Sequence, residues 1–347
     1  MAMVALGAWL MPASAGSNSY KVTKLVSDQA NKAVHQDPNL VNAWGLVAGP
    51  STPWWVANNH SNTSTLYDGS GNAVPLVVKV TGAPTGAVFN GGTGFQVSKN
   101  GATAPALFLF DTESGVIRAW NPNVPPPAPS TTAFRVVDMR SEHAIFKGLA
   151  IASTAEGAHL YATDFHNGKV DVFNQRFHLV TRPGAFVDPN IPSGYAPFGI
   201  QTIGNRIFVT YAKQDAAAED DVAGAGFGFV DMYSRSGKLL QRVASKGSLD
   251  APWGIAWAPS DFGSASGHLL IGNFGDGMIN VFEPESNGEF MHEGNLHRLN
   301  GNPIVIPGLW ALQFGNGAAA GPMNTLFFTA GPDGESHGLF GSIQAQG

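Results

Sequence analysis

Short runs of alternating or continuous apolar residues recur along the chain, separated by clusters of Gly, Pro, Asn, Asp and Ser. Runs of roughly 4–8 such residues bounded by turn formers read as β-strands. One phrase returns at intervals of roughly 40 to 60 residues, the spacing of four-stranded repeat units. It has a mostly bulky residue, then Gly, then an apolar strand. It reads Ala43-Trp44-Gly45-Leu46, Pro84-Thr85-Gly86-Ala87, Phe146-Lys147-Gly148-Leu149, Pro197-Phe198-Gly199-Ile200 and Pro252-Trp253-Gly254-Ile255. A sixth copy, Leu309-Trp310-Ala311-Leu312, has Ala in place of Gly. A second strand follows each copy and in most cases ends on a polar residue, as in Val56-Ala57-Asn58, Phe110-Asp111, Thr163-Asp164 and Gly272-Asn273. Third strands follow after Gly-rich turns, for example Gly115 to Trp120, Gly168 to Phe173 and Gly277 to Phe282.

One such unit cannot cover both of its apolar faces, whereas six in a ring can, and closure protects the sheet edges. The predicted fold is therefore all-β: a six-bladed β-propeller of four-stranded antiparallel blades. Inner strands are expected to start near Leu46, Ala87, Leu149, Ile200, Ile255 and Leu312. The Gly of each phrase is expected to permit close backbone approach near the crowded axis. Tyr20 to Val26 alternates like a strand but precedes the first repeat, so it is expected to complete the last blade from outside and close the ring. Residues 19–347 then form one domain.

Composition narrows the function classes. The chain has 347 residues, with 43 Gly, 23 Pro and only 13% charged residues, a profile of many short strands and tight turns. The net charge is −6 with no basic cluster, which argues against a nucleic-acid partner. No cysteine is present, which excludes disulfides and thiolate metal sites. Val4 to Met11 is apolar and Ala13-Ser14-Ala15 resembles a leader-cleavage site, so residues 1–15 are expected to be a signal peptide and the protein secreted or periplasmic. No run approaches the ~20 apolar residues of a membrane span. The ring is expected to act as a monomer.

The phrases Pro197-Phe198-Gly199-Ile200, Tyr161-Ala162-Thr163-Asp164 and Gly168-Lys169-Val170-Asp171-Val172-Phe173 resemble NHL-type propeller repeats. Further phrases stand in order: Tyr211-Ala212-Lys213-Gln214-Asp215, Asp220-Asp221-Val222-Ala223-Gly224, Gly272-Asn273-Phe274-Gly275-Asp276-Gly277 and His337-Gly338-Leu339-Phe340-Gly341. Together they resemble a family of exported bacterial six-bladed propeller proteins, mostly conserved hypothetical. That resemblance implies fold and export and carries no catalytic residues.

Loops on a rigid scaffold are where function is expected, and in a propeller they gather at one mouth of the central channel. A first ring there comprises Trp44, Thr85, Lys147, Phe198, Trp253 and Trp310. Its aromatics suit either stacking on a sugar, aromatic compound or peptide, or packing between blades. In a second ring, Asn58, Asp111, Asp164 and Asn273 share one repeat position and suit Asx-type turns. Two residues further on stand His60, Glu113, His166 and Lys213, which a turn does not require. His60 and His166 with Asp164, Asn59 or Asp333 suit Zn²⁺. An oxygen set including Asn59, Asp164 and Asn273 suits Ca²⁺. Propeller hydrolases of the gluconolactonase and paraoxonase type hold a central Ca²⁺, and this sequence is similar in blade number and oxygen inventory. An amidating-lyase-like zinc site would need a third His, where the fifth blade offers Asn273 and Gly275.

Two functions of different class are expected. In one, a metal-assisted hydrolase or lyase acts on a small polar or carbohydrate-like substrate, with His60, His166 and Lys213 as catalytic groups. In the other, a non-catalytic platform binds a glycan, peptide or envelope partner. The acidic stretch Glu219-Asp220-Asp221 is expected to be a solvated loop. No sequence pattern indicates an organic cofactor, because nucleophile-elbow, Walker and strand-to-helix dinucleotide motifs are all missing.

Overall fold

A computed structural model describes residues 19–346. Six antiparallel sheets follow one another in chain order around a central axis, each packing its inner strand against those of its neighbours. The inner strands are Ala43–Val47, Pro84–Phe89, Phe146–Thr154, Tyr195–Ile203, Pro252–Trp257 and Leu309–Phe314. They begin about three residues before the expected starts, and five in the fourth blade, because the repeated phrase is itself extended. A register shift falls at the phrase in all six copies, as between Ala43 and Leu46 or between Leu309 and Leu312. The fold is the six-bladed β-propeller that the repeats predict.

Four strands per blade is the rule, with two local departures. In the third blade the outer strand is reduced to a single bridge between Phe173 and Leu179. The sixth blade gains a short fifth strand, His35–Gln36. The second blade carries an inserted hairpin, Gln96–Lys99 with Ala102–Pro105. Helix among the described residues is limited to two single 3-10 turns, Arg140–Glu142 and Gly263–Ala265, and no helix there is long and apolar enough to cross a membrane.

Ring closure follows the expected route. Tyr20–Ser27 lies antiparallel to Leu339–Ala345, from Tyr20 opposite Ala345 to Ser27 opposite Leu339. Tyr20 anchors this strand to the fifth blade. Its hydroxyl donates to the Phe262 carbonyl at 3.0 Å and accepts from the Ala265 N–H at 3.0 Å.

Apolar side chains fill the spaces between successive blades. Trp55, Phe108, Phe110 and Trp120 occupy the seam of the first and second blades, and Trp54, Phe327 and Phe340 that of the sixth and first. The glycine of each phrase faces the next blade. A Cβ on Gly45 would lie 2.3 Å from the Thr85 carbonyl oxygen, and one on Gly199 would lie 2.1 Å from that of Trp253. Both are far inside van der Waals contact, so the inner strands approach each other through these glycines. Second-strand threonines add stitches. Thr163 donates to the Phe198 carbonyl at 2.7 Å, and Thr329 donates to the Trp44 carbonyl at 2.5 Å.

Candidate functional site

The first ring closes the mouth instead of lining it. Trp44 stacks on Trp310 with centroids 3.7 Å apart, and Phe274 stacks on the same Trp310 at 4.0 Å. Phe198 and Trp253 meet Trp310 edge-on at 5.9 and 6.0 Å. Trp44, Phe198 and Trp310 are buried, and Trp253 and Phe274 keep part of their surface. These rings turn their faces to one another, so they form an apolar plug rather than a stacking surface for solvent-borne ligand. Below the plug the axis holds a cavity of only about 20 Å³ among the inner strands. The opposite mouth is a wider depression of about 410 Å³, lined in part by Phe89, Ile151, Gln201 and Gln313, with no titratable side chain.

Lys147 sits above the plug and departs from the aromatic pattern. It occupies the phrase position held by Trp or Phe in four other blades. Its side chain is 2% exposed, and its ammonium lies 5.3 Å from the centre of the Trp44 ring. An unpaired ammonium there would be costly, so it needs anionic partners. Glu113 meets it at 2.5 Å from the second blade, and Asp220 at 2.8 Å from the fourth. Asn59 of the first blade donates to the other oxygen of Glu113 at 2.8 Å. Asn42 donates to Glu335 of the sixth blade at 2.6 Å and accepts from the Trp310 indole at 2.9 Å. The Trp253 indole donates to the Lys147 carbonyl at 2.8 Å. Every blade therefore contributes to the plug or to the charged layer on it.

The electrostatics of this layer are uneven. Burial lowers the Lys147 pKa, but Glu113 and Asp220 outweigh burial and leave it raised. Burial pushes the Asp221 carboxyl up to about 7, with Lys147 opposing and Glu335 and Asp220 reinforcing the rise. Its Oδ2 is buried without a hydrogen-bond partner among the described residues. Glu335 is also raised by burial, against the hydrogen bond from Asn42 and with repulsion from Glu113. Two carboxyls inclined to hold protons thus stand beside a lysine neutralised by two others. Groups with such divided protonation are what proton transfer requires.

Glu219 and Asp220 are exposed, as a solvated acidic loop requires, and Asp221 departs from that expectation. The excursion after Lys213 folds inward. Asp215 Oδ1 accepts from the Glu219 N–H at 2.9 Å, and Val222 N–H returns to the Lys213 carbonyl at 2.8 Å. Lys147 supplies the charge that draws the loop over the channel. His166 touches the same loop, with Nδ1 3.3 Å from the Ala218 carbonyl oxygen.

The second-ring residues hold their own turns. Asp164 Oδ1 accepts from the N–H groups of Ile145 and Asn167, at 3.2 and 3.3 Å, and Oδ2 accepts from the Asn167 amide at 2.7 Å. Asn273 donates to Asp276 at 3.1 Å and to the Ser248 carbonyl at 2.8 Å. Asn58 donates to Thr63 and Thr65. Lys213 lays its ammonium 4.2 Å from the ring centre of Phe227, and His60 is exposed. Asp333 lines a separate cavity beside the closing strand. Among the described residues no group of three or more His, Asp or Glu side chains is arranged to hold a metal ion. Of the set Asn59, His60, Asp164, His166, Asn273 and Asp333, Asp164 is held by its own turn, Asn59 bonds Glu113 and Asp333 lines another cavity, while Asn273 Oδ1 is buried without a partner.

No family model matches the chain. Two solved structures resemble it in fold. A protein of unknown function from Bacteroides thetaiotaomicron gives a TM-score of 0.58 at 10% identity, covering 94% of this chain and 76% of that one. A catalytically inactive virginiamycin B lyase from Staphylococcus aureus, solved with quinupristin, gives 0.52 at 11% identity, covering 94% and 99%. Identities this low concern architecture alone, and they support the six-bladed ring. Sequence relatives extend further. Uncharacterized protein R648 of Acanthamoeba polyphaga mimivirus is 35% identical over 94% of this chain and 80% of its own length. Uncharacterized protein L690 of the same virus is 32% identical over 94% and 86%. The chain belongs to one family with these two mimivirus proteins, viral relatives of a six-bladed propeller whose resemblance pointed to exported bacterial proteins.

Proposed function

We propose that the Lys147 mouth is a site for acid–base chemistry on a small polar or carbohydrate-like molecule, of the hydrolase or lyase class. One observation carries this: Glu113, Asp220, Asp221 and Glu335 gather from three blades around a buried lysine, with Asp221 held at about 7. At neutral pH Asp221 is poised to give or take a proton, and a positioned carboxyl of this kind contributes ~10²–10⁴-fold. Lys147 and Glu113 would fix the charge of the mouth, and Asn42 and Asn59 would orient the carboxylates they bind. The aromatic plug bars water from the channel below. Neither His60 nor His166 is assigned a proton-transfer step. His166 acts as a positioning residue through the Ala218 carbonyl. The reaction class also fits the fold-level likeness to a lyase, which by itself fixes no activity.

We further propose that the protein works outside the cytoplasm as a monomer. Support for export is the apolar run Val4 to Met11 and the Ala13-Ser14-Ala15 pattern, which lie outside the described residues.

A screen against lactones, esters and uronic-acid glycans tests the enzyme. Asp221→Asn is expected to lower turnover at least ~100-fold with folding intact. With Asp221 as general acid, wild-type kcat/KM is expected to fall as pH rises through about 7. Turnover unchanged in Asp221→Asn would overturn the assignment. Saturable binding without turnover would identify the mouth as a non-catalytic platform for a glycan or peptide.

A further inference from the structure

A second cavity, of about 290 Å³, opens between the fifth and sixth blades beside the closing strand. This is near the lower end of the ~300–1,000 Å³ typical of ligand pockets. Its lining is mixed, and Val22, Ile306, Pro307, Phe328 and Leu339 form the apolar part. Its charged groups are Lys24, Lys32, Arg298 and Asp333. The balance is unusual for this chain. The whole sequence carries 25 acidic against 19 basic residues, yet here three cations face one carboxylate.

Among the described residues, none of the three cations is in an ion pair. Other basic side chains are paired where a carboxylate is near, as Arg242 is with Asp188 and Asp231, Lys169 with Asp171, and Lys147 with Glu113, so what sets this cavity apart is that three cations gather on one hollow. Three cations held around this hollow without partners leave a local excess of positive potential. All three are exposed, so their pull on an entering anion is strongest at low salt.

We propose that this cavity binds a small anion with an apolar body: an aryl or short-acyl carboxylate, sulfate or phosphate. The apolar part packs on Phe328 and Leu339, and the anionic group meets Lys24, Lys32 and Arg298, whose guanidinium suits planar or tetrahedral oxyanions. Asp333 at the rim disfavours ligands of higher negative charge. The site draws on residues of the closing strand, Val22 and Lys24, so it exists only in the closed ring. It is independent of the Lys147 mouth.

The test uses naphthalene-2-sulfonate and its neutral counterpart naphthalene-2-sulfonamide, titrated into the whole protein by calorimetry at low salt. The sulfonate is expected to bind once per chain and at least 10-fold tighter than the sulfonamide. Lys24→Glu and Arg298→Glu are each expected to weaken it at least 10-fold, with unchanged circular dichroism, since both side chains are exposed. Asp333→Asn is expected to tighten it a few-fold. Asp221→Asn is expected to leave it unchanged, which separates this site from the mouth. Equal affinity for the two probes, no binding of either, or wild-type binding by both charge-reversal variants would overturn the proposal.

Discussion

Replacing Lys147 by Met tests whether the charged layer is held by its lysine. The substitution keeps length and apolar contact with Trp44 but removes the cation from among four carboxyls. Removing one partner of a buried ion pair costs ~3–5 kcal/mol when the other stays buried and charged. Here Glu113 is 27% exposed and Asp220 72% exposed, so both rehydrate in part and the lower end applies, roughly 2–3 kcal/mol at pH 9. The cost should depend on pH. In the wild type Lys147 opposes the rise of the Asp221 pKa, so its loss raises that pKa further above about 7. Each additional unit adds ~1.4 kcal/mol to the cost where Asp221 is ionised and nothing where it is protonated. Urea unfolding should therefore show a loss from the Glu113 and Asp220 pairs at both pH 5 and pH 9, larger at pH 9 by ~1.4 kcal/mol for each unit that the Asp221 pKa rises. An equal loss at both pH values would mean that Lys147 matters by shape alone, and the electrostatic account of the mouth would fail.

Other expectations follow from the same structure. Burial pushes Asp111 up to about 7, against hydrogen bonds from Thr85 and the Gly86 N–H. Because its folded pKa lies above the ordinary value, wild-type stability should fall between pH 4 and pH 7, by up to ~4 kcal/mol from this group, and Asp111→Asn should flatten that fall. Gly199→Ala places a Cβ 2.1 Å from the Trp253 carbonyl oxygen, so denaturant unfolding should show a loss of ~3 kcal/mol or more. Gly204→Ala meets nothing within 4 Å and has only a positive φ of 58° to accommodate, so it should lose only ~1 kcal/mol. Mass spectrometry of the protein from its native host should find an N-terminus after Ala15; retained Met1 would refute export by this signal.

The ring was legible because its requirements recur. Each inner strand passes a neighbour closely, so Gly45, Gly86, Gly148, Gly199 and Gly254 announce the same contact five times. Tyr20–Ser27 reads as a strand, alternating at its start and buried from Leu25 to Ser27 after a register shift. The site was legible only in fragments, because its members occur once each. Lys147 and Asp220 are 73 residues apart, and Asn42 and Glu335 are 293 apart. No periodicity links them, and only ring closure brings them together. Two signals were available: a lysine in a slot otherwise mostly aromatic, and three consecutive acids, Glu219 to Asp221, in an otherwise sparsely charged chain. The His residues gave a signal of another kind. Their repeat register was real, but His60 is exposed and His166 reaches the Ala218 carbonyl, so the register does not bring them into the charged layer. The stitching threonines Thr163 and Thr329 stand one residue before the strand-end position in two blades, a pattern open to the eye but indistinguishable from ordinary strand preference without coordinates.

The closing strand also sets the order in which the protein can be made. Tyr20–Ser27 leaves the ribosome some 300 residues before its hydrogen-bonding partner, Leu339–Ala345. Throughout synthesis the nascent chain therefore carries an orphan strand and an incomplete arc of blades whose terminal faces are apolar, the condition in which chains pair wrongly with one another. Joining the ends closes a loop of more than 300 residues, yet that entropy grows only with the logarithm of length, so the finished ring is not heavily penalised for its size. Unlike an open solenoid, it then has no end from which to unravel. A truncation anywhere in the last blade is therefore expected to release the first strand as well, converting a local lesion into loss of the whole circle.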